Sequence, residues 1–291
     1  MDIGRESEWI IRVALTEDLG VEGDITTAAV CPAGATGRGV VISREPCRIA
    51  GQPVAARVFE ITGADYRAKI ADGLDAGPGE EIALVEGPLE AVLSGERTAL
   101  NFLCRLTGIA TLTARMVAMA EPHGVAIMDT RKTTPGMREL EKYAVAMGGG
   151  RNHRHGLYDG VIIKDNHIAA AGGLEIAVRR VRNALGERFP VEVEASDLAQ
   201  VRQAVGSGAD IIMLDNMDPA TVEKAMAIIG GRTMTEVSGG VTPENIHSYL
   251  GLGMDSISLG FLTHSAPAAD LSLELEAANP PPPGAGPRGG G

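Results

Sequence analysis

The spacing of apolar positions changes near residue 125, and that change divides the chain in two. Before it, Trp9, Val13 and Ala14 recur at helical spacing until Gly20, which predicts a short amphipathic helix from Trp9 to Leu19. Gly37 to Ser43, Tyr66 to Ile70 and Glu81 to Glu86 read as strands and Val54 to Ile61 as a helix, with Gly and Pro between them. Ser94 is a plausible N-cap for a long helix whose stripe of Ala99, Phe102, Leu103, Leu106, Ala110, Thr113 and Val117 ends near Pro122 and Gly124. This half reads as an α+β module, and the long helix as the join to the second half.

From Val125 onward short apolar strands alternate with amphipathic helices. The predicted strands are Val125 to Asp129, Gly160 to Lys164, Val191 to Glu194, Asp210 to Leu214, Thr233 to Val237 and Ser256 to Leu259. Helices are expected to begin near Gly136, Gly173, Asp197, Pro219 and Pro243. Such alternation implies parallel strands with right-handed crossovers, in an open sheet or a (β/α) barrel. The polar residues decide between them. Each strand ends in a functional-looking group, and only a barrel gathers all its strand ends around one mouth. Leu271 to Leu275 reads as a last short helix, and the Pro280 to Pro283 run with its Gly-rich end as a disordered tail.

An aromatic content of 3% means that this core is built from aliphatic residues, as is common in α/β folds. The net charge of -12 argues against non-specific nucleic-acid binding and against adhesion to anionic membranes. Cys31, Cys47 and Cys104 form no CxxC pair, so neither a disulfide framework nor a zinc site is indicated, and a reducing, cytoplasmic setting is expected. No signal segment or membrane-length run is read from the sequence.

Within this acidic chain lies a basic island: Arg131, Lys132, Arg151, His153, Arg154, His155 and Lys164 fall at strand ends and Gly-rich loops. Fixed cations held partly out of water suit an anionic small molecule, although a salt-bridged surface loop has the same composition. Glu192 and Glu194 alternate with valines, so both carboxylates face the barrel interior, where they need cations such as Lys132 and Lys164, or a metal. Glu194 with Asp215 on the next strand is a candidate Mg²⁺ pair. Ser238-Gly239-Gly240 and Gly260 follow late strands and read as a phosphate cradle, to which a helix beginning near Pro243 would add its positive end. His153 reads equally as an anion donor, a general acid or a structural residue.

The strings GERTALNFLCRLTGIAT, DTRKTTPGMRELEKYAVAMGGGRNHR, GLYDGVIIKDNHI, ADIIMLDNM and EVSGGV, with the N-terminal EDLGVEGDITT, closely resemble the quinolinate phosphoribosyltransferase family from about Trp9 to Leu275. The resemblance implies an N-terminal α+β sandwich domain over residues 1–115, joined by a C-terminal helix near 266–278. It further implies an incomplete (β/α) barrel over 116–265, with 279–291 left as a disordered tail. It implies a glycosyltransferase, with Mg²⁺, that converts quinolinate and 5-phosphoribosyl 1-diphosphate into nicotinate mononucleotide, pyrophosphate and CO₂. By the same resemblance Arg131, His153, Arg154 and Lys164 would bind quinolinate, with Arg97 reaching in from the second subunit of a homodimer or a multiple of it. Lys132 would meet the diphosphate, and Glu194 and Asp215 would sit by the ribose and the metal, the metal directly or through water. Ser238, Gly239, Gly240 and Gly260, with His264, would hold the 5-phosphate. Three alternatives remain: a class I aldolase-like barrel with Lys164 or Lys132 as Schiff-base former, a paralogue associated with molybdate transport, and a dimeric ligand-binding regulator.

Overall fold

In the computed structural model, which describes residues 4–276, the first half of the chain intersperses helices with the strands of an antiparallel sheet. Helix α1 (Arg5–Leu19) starts ahead of Trp9 and buries Ile11 and Leu15. Helix α2 (Ile25–Val30), not anticipated from spacing, is capped by Asp24, whose carboxylate accepts the Thr27 N–H. Then come β1 (Thr36–Ser43), β2 (Cys47–Arg48), α3 (Gln52–Thr62), β3 (Asp65–Ala68), β4 (Asp75–Ala76) and β5 (Glu81–Pro88). Helix α4 (Leu89–Ala120) follows β5 without a loop. Ser94 is therefore interior to α4 and not its N-cap: the turn before it buries Leu89, Ala91 and Val92, so core contacts carry the helix further back. By length and composition α4 could cross a membrane, but 56% of its apolar window is buried within the protein, as in a core helix.

The second half runs β6 (Ala126–Met128), α5 (Arg138–Met147), β7 (Val161–Ile163), α6 (Asp165–Ala171), α7 (Leu174–Leu185), β8 (Val191–Ala195) and α8 (Leu198–Ser207). It continues with β9 (Ile211–Asp215), α9 (Pro219–Ile229), β10 (Met234–Ser238), β11 (Ser256–Ser258), α10 (Phe261–His264) and β12 (Leu271–Leu275).

The chain divides into two compact units. One comprises the chain up to Thr111, Pro135–Gly148 and the chain from Ala266; the other comprises Leu112–Thr134 and Gly149–Ser265. In the first, an antiparallel sheet has the order β12-β1-β5-β3. The segment expected as a helix near 266–278 is thus an edge strand, with Leu271 to Leu275 opposite Ser43 to Gly39. Leu271, Leu273 and Leu275 recur with period two, which suits a strand whose one face is apolar. Helix α5 also belongs to this unit, interrupting the 116–265 span: Ser7 donates to Glu139, the Tyr143 hydroxyl donates to Asp72 and Arg105 pairs with the buried Glu141. The tail from 279 to 291 lies outside the described residues.

The second unit is an α/β fold on a six-stranded parallel sheet of order β6-β11-β10-β9-β8-β7. Strands β6 and β7, consecutive along the sheet's part of the chain, stand at its two edges. The segment Arg151–Arg154 occupies the gap: Arg151 forms a parallel bridge with Met128 at the end of β6, and Arg154 Nη1 donates to the Gly160 carbonyl just before β7. This is an incomplete barrel closed by an irregular segment. The helix expected from Pro243 is absent; only a 3₁₀ turn, Ile246–Ser248, forms. Asn245 explains this, since its side chain accepts the Thr242 N–H and donates to the Gly240 carbonyl, folding the backbone into a local turn.

Candidate active site

Parallel register brings the C-terminal strand ends level: Ser258 is opposite both Met128 and Ser238, and Ser238 is opposite Asp215. The residues singled out at these ends therefore share one lip. After β7, Lys164 pairs its ammonium with Glu194 near the end of β8. On β9 the pairing of Glu194 with Met213 sets Asp215 two residues on, facing the same side as Glu194. Asn216 donates through Nδ2 to Asp215 at 2.8 Å and holds a left-handed backbone, φ 53°. A Cβ on Gly239 would lie 2.3 Å from Asn216 Oδ1, so the turn after β10 closes this tightly only with glycine there. Gly240 is likewise left-handed, at φ 69°. At Gly260 a Cβ would meet Lys132 Cδ at 3.0 Å and His264 Nε2 at 3.2 Å, which gathers the Lys132 and His264 side chains at that turn. The Thr263 hydroxyl donates to the Lys132 carbonyl at 2.8 Å and fixes the loop that carries Arg131 and Lys132.

Arg154 sits half-buried in the barrel-closing segment, and its Nε is buried without a hydrogen-bond partner. Burial pushes its guanidinium below the ordinary arginine range, and the nearby Arg131 charge pushes the same way. Two cations set against each other, one with an unused buried donor, make a place for an anion. Arg97 is an exposed residue of α4.

Below the lip the lumen is polar. His153 Nε2 lies 3.2 Å from Glu192 Oε2 on β8 and 3.6 Å from Glu236 Oε2 on β10. Those strands are separated by β9, so one ring reaches both only because the sheet curls. The His153 amide donates to Asp129 Oδ1 at 2.8 Å, and Nδ1 of its ring accepts the Arg154 amide at 2.7 Å. Ser258 donates to Glu236. Burial, with the charge of Glu192, pushes the Glu236 carboxyl up to about 7, while His153 and Ser258 oppose the shift. Glu236 escaped the sequence reading. Its signal was a carboxylate inside Met-Thr-Glu-Val-Ser, mid-strand among residues that are buried.

Among the described residues these three are the only cluster of ligand-type side chains at mutual metal-binding distance; Glu194 and Asp215 are not part of it. A cavity of about 870 Å³ opens at the other ends of the strands, lined by Val125, Pro190, Ile211 and Asp255 and also by His153, Arg154, Glu192 and Glu236. It does not include Lys164, Glu194, Asp215, the Ser238 turn or Gly260. Cations, carboxylates and glycine turns converge at the lip.

Comparison with known proteins bears on this arrangement. Residues 24–107 match the sequence model of the quinolinate phosphoribosyl transferase N-terminal domain, and residues 109–274 that of its C-terminal domain. A probable nicotinate-nucleotide pyrophosphorylase (carboxylating) of Bacillus subtilis is 42% identical over 265 residues, covering 90% of this chain and 91% of its own. The nicotinate-nucleotide pyrophosphorylase (carboxylating) of Mycobacterium leprae is 42% identical over 272 residues, covering 91% and 95%. Among solved structures, nicotinate-nucleotide pyrophosphorylase from Ehrlichia chaffeensis superposes with a TM-score of 0.89 at 36% identity, over 95% of this chain and all of that one, 100%. NadC from Streptococcus pyogenes superposes with a TM-score of 0.87 at 36% identity, over 94% and 96%.

Proposed function

The chain belongs to the quinolinate phosphoribosyltransferase family, and from that premise we propose how the lip of its barrel divides the two substrates. The activity itself follows from the family: transfer of phosphoribosyl from 5-phosphoribosyl 1-diphosphate to quinolinate with decarboxylation, a pentosyltransferase step of NAD biosynthesis. The molybdate-transport, aldolase and regulator alternatives are not favoured. Lys164, which the aldolase reading would need in an apolar pocket, is ion-paired with Glu194.

Arg131, Arg154 and Lys164 take the two quinolinate carboxylates, and Arg97 of a second subunit completes the set. The observation that carries this is Arg154 itself: half-buried, pressed by Arg131 and with an unused Nε donor. Lys132 faces the diphosphate, and the 5-phosphate lies against Ser238, Gly239, Gly240, Gly260 and His264. The left-handed glycines at 239 and 240 make the kind of turn whose backbone N–H groups cradle phosphate oxygens. Without the helix at Pro243, that task falls to the backbone of these turns with Ser238 and His264.

The C1–diphosphate bond breaks as the pyridine nitrogen forms its bond to C1, and Lys132 stabilises the charge growing on the departing diphosphate. Glu194 and Asp215 face the ribose, where negative charge favours an oxocarbenium-like transition state. The resulting pyridinium draws in the electron pair of the adjacent carboxylate as CO₂ leaves, and a proton replaces it. Two carboxylates on one side of neighbouring strands are a hard oxygen donor set that fits Mg²⁺, which when bound would neutralise the diphosphate. A homodimer and a cytoplasmic setting belong to the same reading, the latter supported by three free cysteines.

Steady-state kinetics of Arg154→Ala and Lys164→Ala test the assignment. Each should raise the quinolinate KM about tenfold or more, the loss of a charged hydrogen bond, with the phosphoribosyl diphosphate KM near that of the parent. Unchanged quinolinate KM in both would remove these cations from its binding site.

A further inference from the structure

Between β9 and α9 the chain holds a backbone oddity that the substrate assignment does not use. Among the described residues Asn216 is the only one other than glycine with a left-handed backbone, φ 53°. Asparagine visits that region more readily than most residues, but it stays there only when its surroundings hold it. Two anchors do so. Before the bend, the Asn216 amide donates to the Ser238 carbonyl at 2.8 Å, which carries the pairing of β9 with β10 one residue past Asp215. After it, Met217 is buried with its carbonyl accepting the Tyr249 hydroxyl at 3.2 Å, and Asp218 already caps α9 by accepting the Thr221 N–H. The chain must bend between these anchors, and it does so at Asn216.

The bend gives the Asn216 side chain two neighbours. Nδ2 donates to Asp215 Oδ2 at 2.8 Å. Oδ1 takes the space where residue 239 would carry a side chain, 2.3 Å from the Cβ that Gly239 lacks. Gly239 and Gly240, at φ 80° and 69°, have no side chains of their own to fix this turn, and glycine has more backbone freedom to lose than any other residue. The turn is held from outside instead. Asn216 packs against Gly239, and Asn245 donates to the Gly240 carbonyl at 2.9 Å. Asn216 thereby ties the turn to the carboxylate of Asp215.

We infer that Asn216 is a positioning residue for 5-phosphoribosyl 1-diphosphate: its one amide group fixes the Asp215 carboxylate relative to the Gly239–Gly240 turn, so that ribose and 5-phosphate meet a preformed pair of contacts. The inference rests on the assignment of Asp215 to the ribose and of the turn to the 5-phosphate made above. Losing the amide leaves both contacts present but separately mobile, and ordering them then draws on the binding energy of this substrate. Quinolinate, assigned to Arg131, Arg154 and Lys164 on other segments, is spared.

Two variants of the full-length enzyme separate the side chain from the bend. Asn216→Gly keeps the left-handed backbone, which glycine adopts freely, and removes the amide. Asn216→Asp keeps the shape but sets an acceptor against Asp215 in place of a donor. Each should raise the phosphoribosyl diphosphate KM about tenfold and leave the quinolinate KM within about twofold. Calorimetric titration with nicotinate mononucleotide in metal-free buffer, a probe that carries the ribose and the 5-phosphate, should show a loss of affinity of about the same size. Asn216→Gly, which relieves the backbone, decides should the aspartate variant fail to fold. Folded protein that keeps the parental phosphoribosyl diphosphate KM or the parental nucleotide affinity, or that raises both substrate KM values alike, would refute the inference. Gly239→Ala disturbs the turn directly and so tests the assignment beneath it. If Gly239→Ala weakens nucleotide binding while the Asn216 variants do not, this inference falls alone. If Gly239→Ala does not, the 5-phosphate assignment falls with it.

Discussion

At the scale of single residues, the lumen stores a proton that pH can remove. Glu236 ionises near 4.5 when exposed and is pushed up to about 7 in the folded chain by burial and by Glu192. Between those values the folded state binds the proton more tightly than the unfolded one, so stability from this group falls as pH rises from about 4.5 to about 7 and is level beyond. Glu236→Gln removes the titration. Relative to the parent it should gain on the order of 2–3 kcal/mol in urea-unfolding free energy on going from pH 4.5 to pH 7.5. A difference between the two proteins that does not change with pH would show that Glu236 is ionised alike in both states.

At the scale of elements, the C-terminal segment is held where a helix and a loop touch backbone to backbone. A Cβ on Gly108 of α4 would lie 1.9 Å from the Pro267 carbonyl oxygen, a fixed atom that no side-chain rotation can clear. Alanine should favour the helix by about 1 kcal/mol, but the clash displaces the chain leading to β12. Gly108→Ala is therefore expected to lower the urea midpoint despite its better propensity, and a raised midpoint would show that Pro267 yields freely. Leu271→Ala should cost about 2–4 kcal/mol, since Leu271 is buried at the start of β12; a loss under about 0.5 kcal/mol would mean that β12 adds little to the sheet.

The two kinds of strand explain how much is legible in the chain alone. The six parallel strands carry strong local patterns, Val191-Glu192-Val193-Glu194 above all, and alternate with capped helices, so their existence and their shared lip follow from the chain itself. Strand β12 pairs with β1, most of the chain away, and Leu-Ser-Leu-Glu-Leu before a Pro/Gly run has no local signal for that partner. Helix α5 reads as part of the barrel because it follows a barrel strand; its ties to Ser7, Asp72 and Arg105 are long-range side-chain bonds. The same limit applies to His153. Beside Arg154 and a glycine run it reads equally as an anion donor, a general acid or a structural residue, and only Glu192 and Glu236, on strands far along the chain, show its ring facing inward.

At the scale of the whole molecule, the proposed reaction needs two copies of the chain if Arg97 crosses to a neighbour's barrel. Assayed at quinolinate well below its KM, the Arg97→Ala and Lys164→Ala homodimers should each lose most of their activity. Mixed after mild dissociation, they should regain up to about one quarter of the parental activity per site, because half of the dimers would be hybrids with one intact site of two. No recovery from a mixture shown by mass analysis to contain hybrids would place Arg97 in its own subunit's site or outside both.

The most direct test is of the reaction itself. Purified protein incubated with quinolinate, 5-phosphoribosyl 1-diphosphate and Mg²⁺ should form nicotinate mononucleotide with an equal amount of CO₂, followed by chromatography and carbon release, and should form none when nicotinate replaces quinolinate. Folded protein that makes no nucleotide from quinolinate, or makes it equally well from nicotinate, would contradict an active site built to hold two carboxylates and release one.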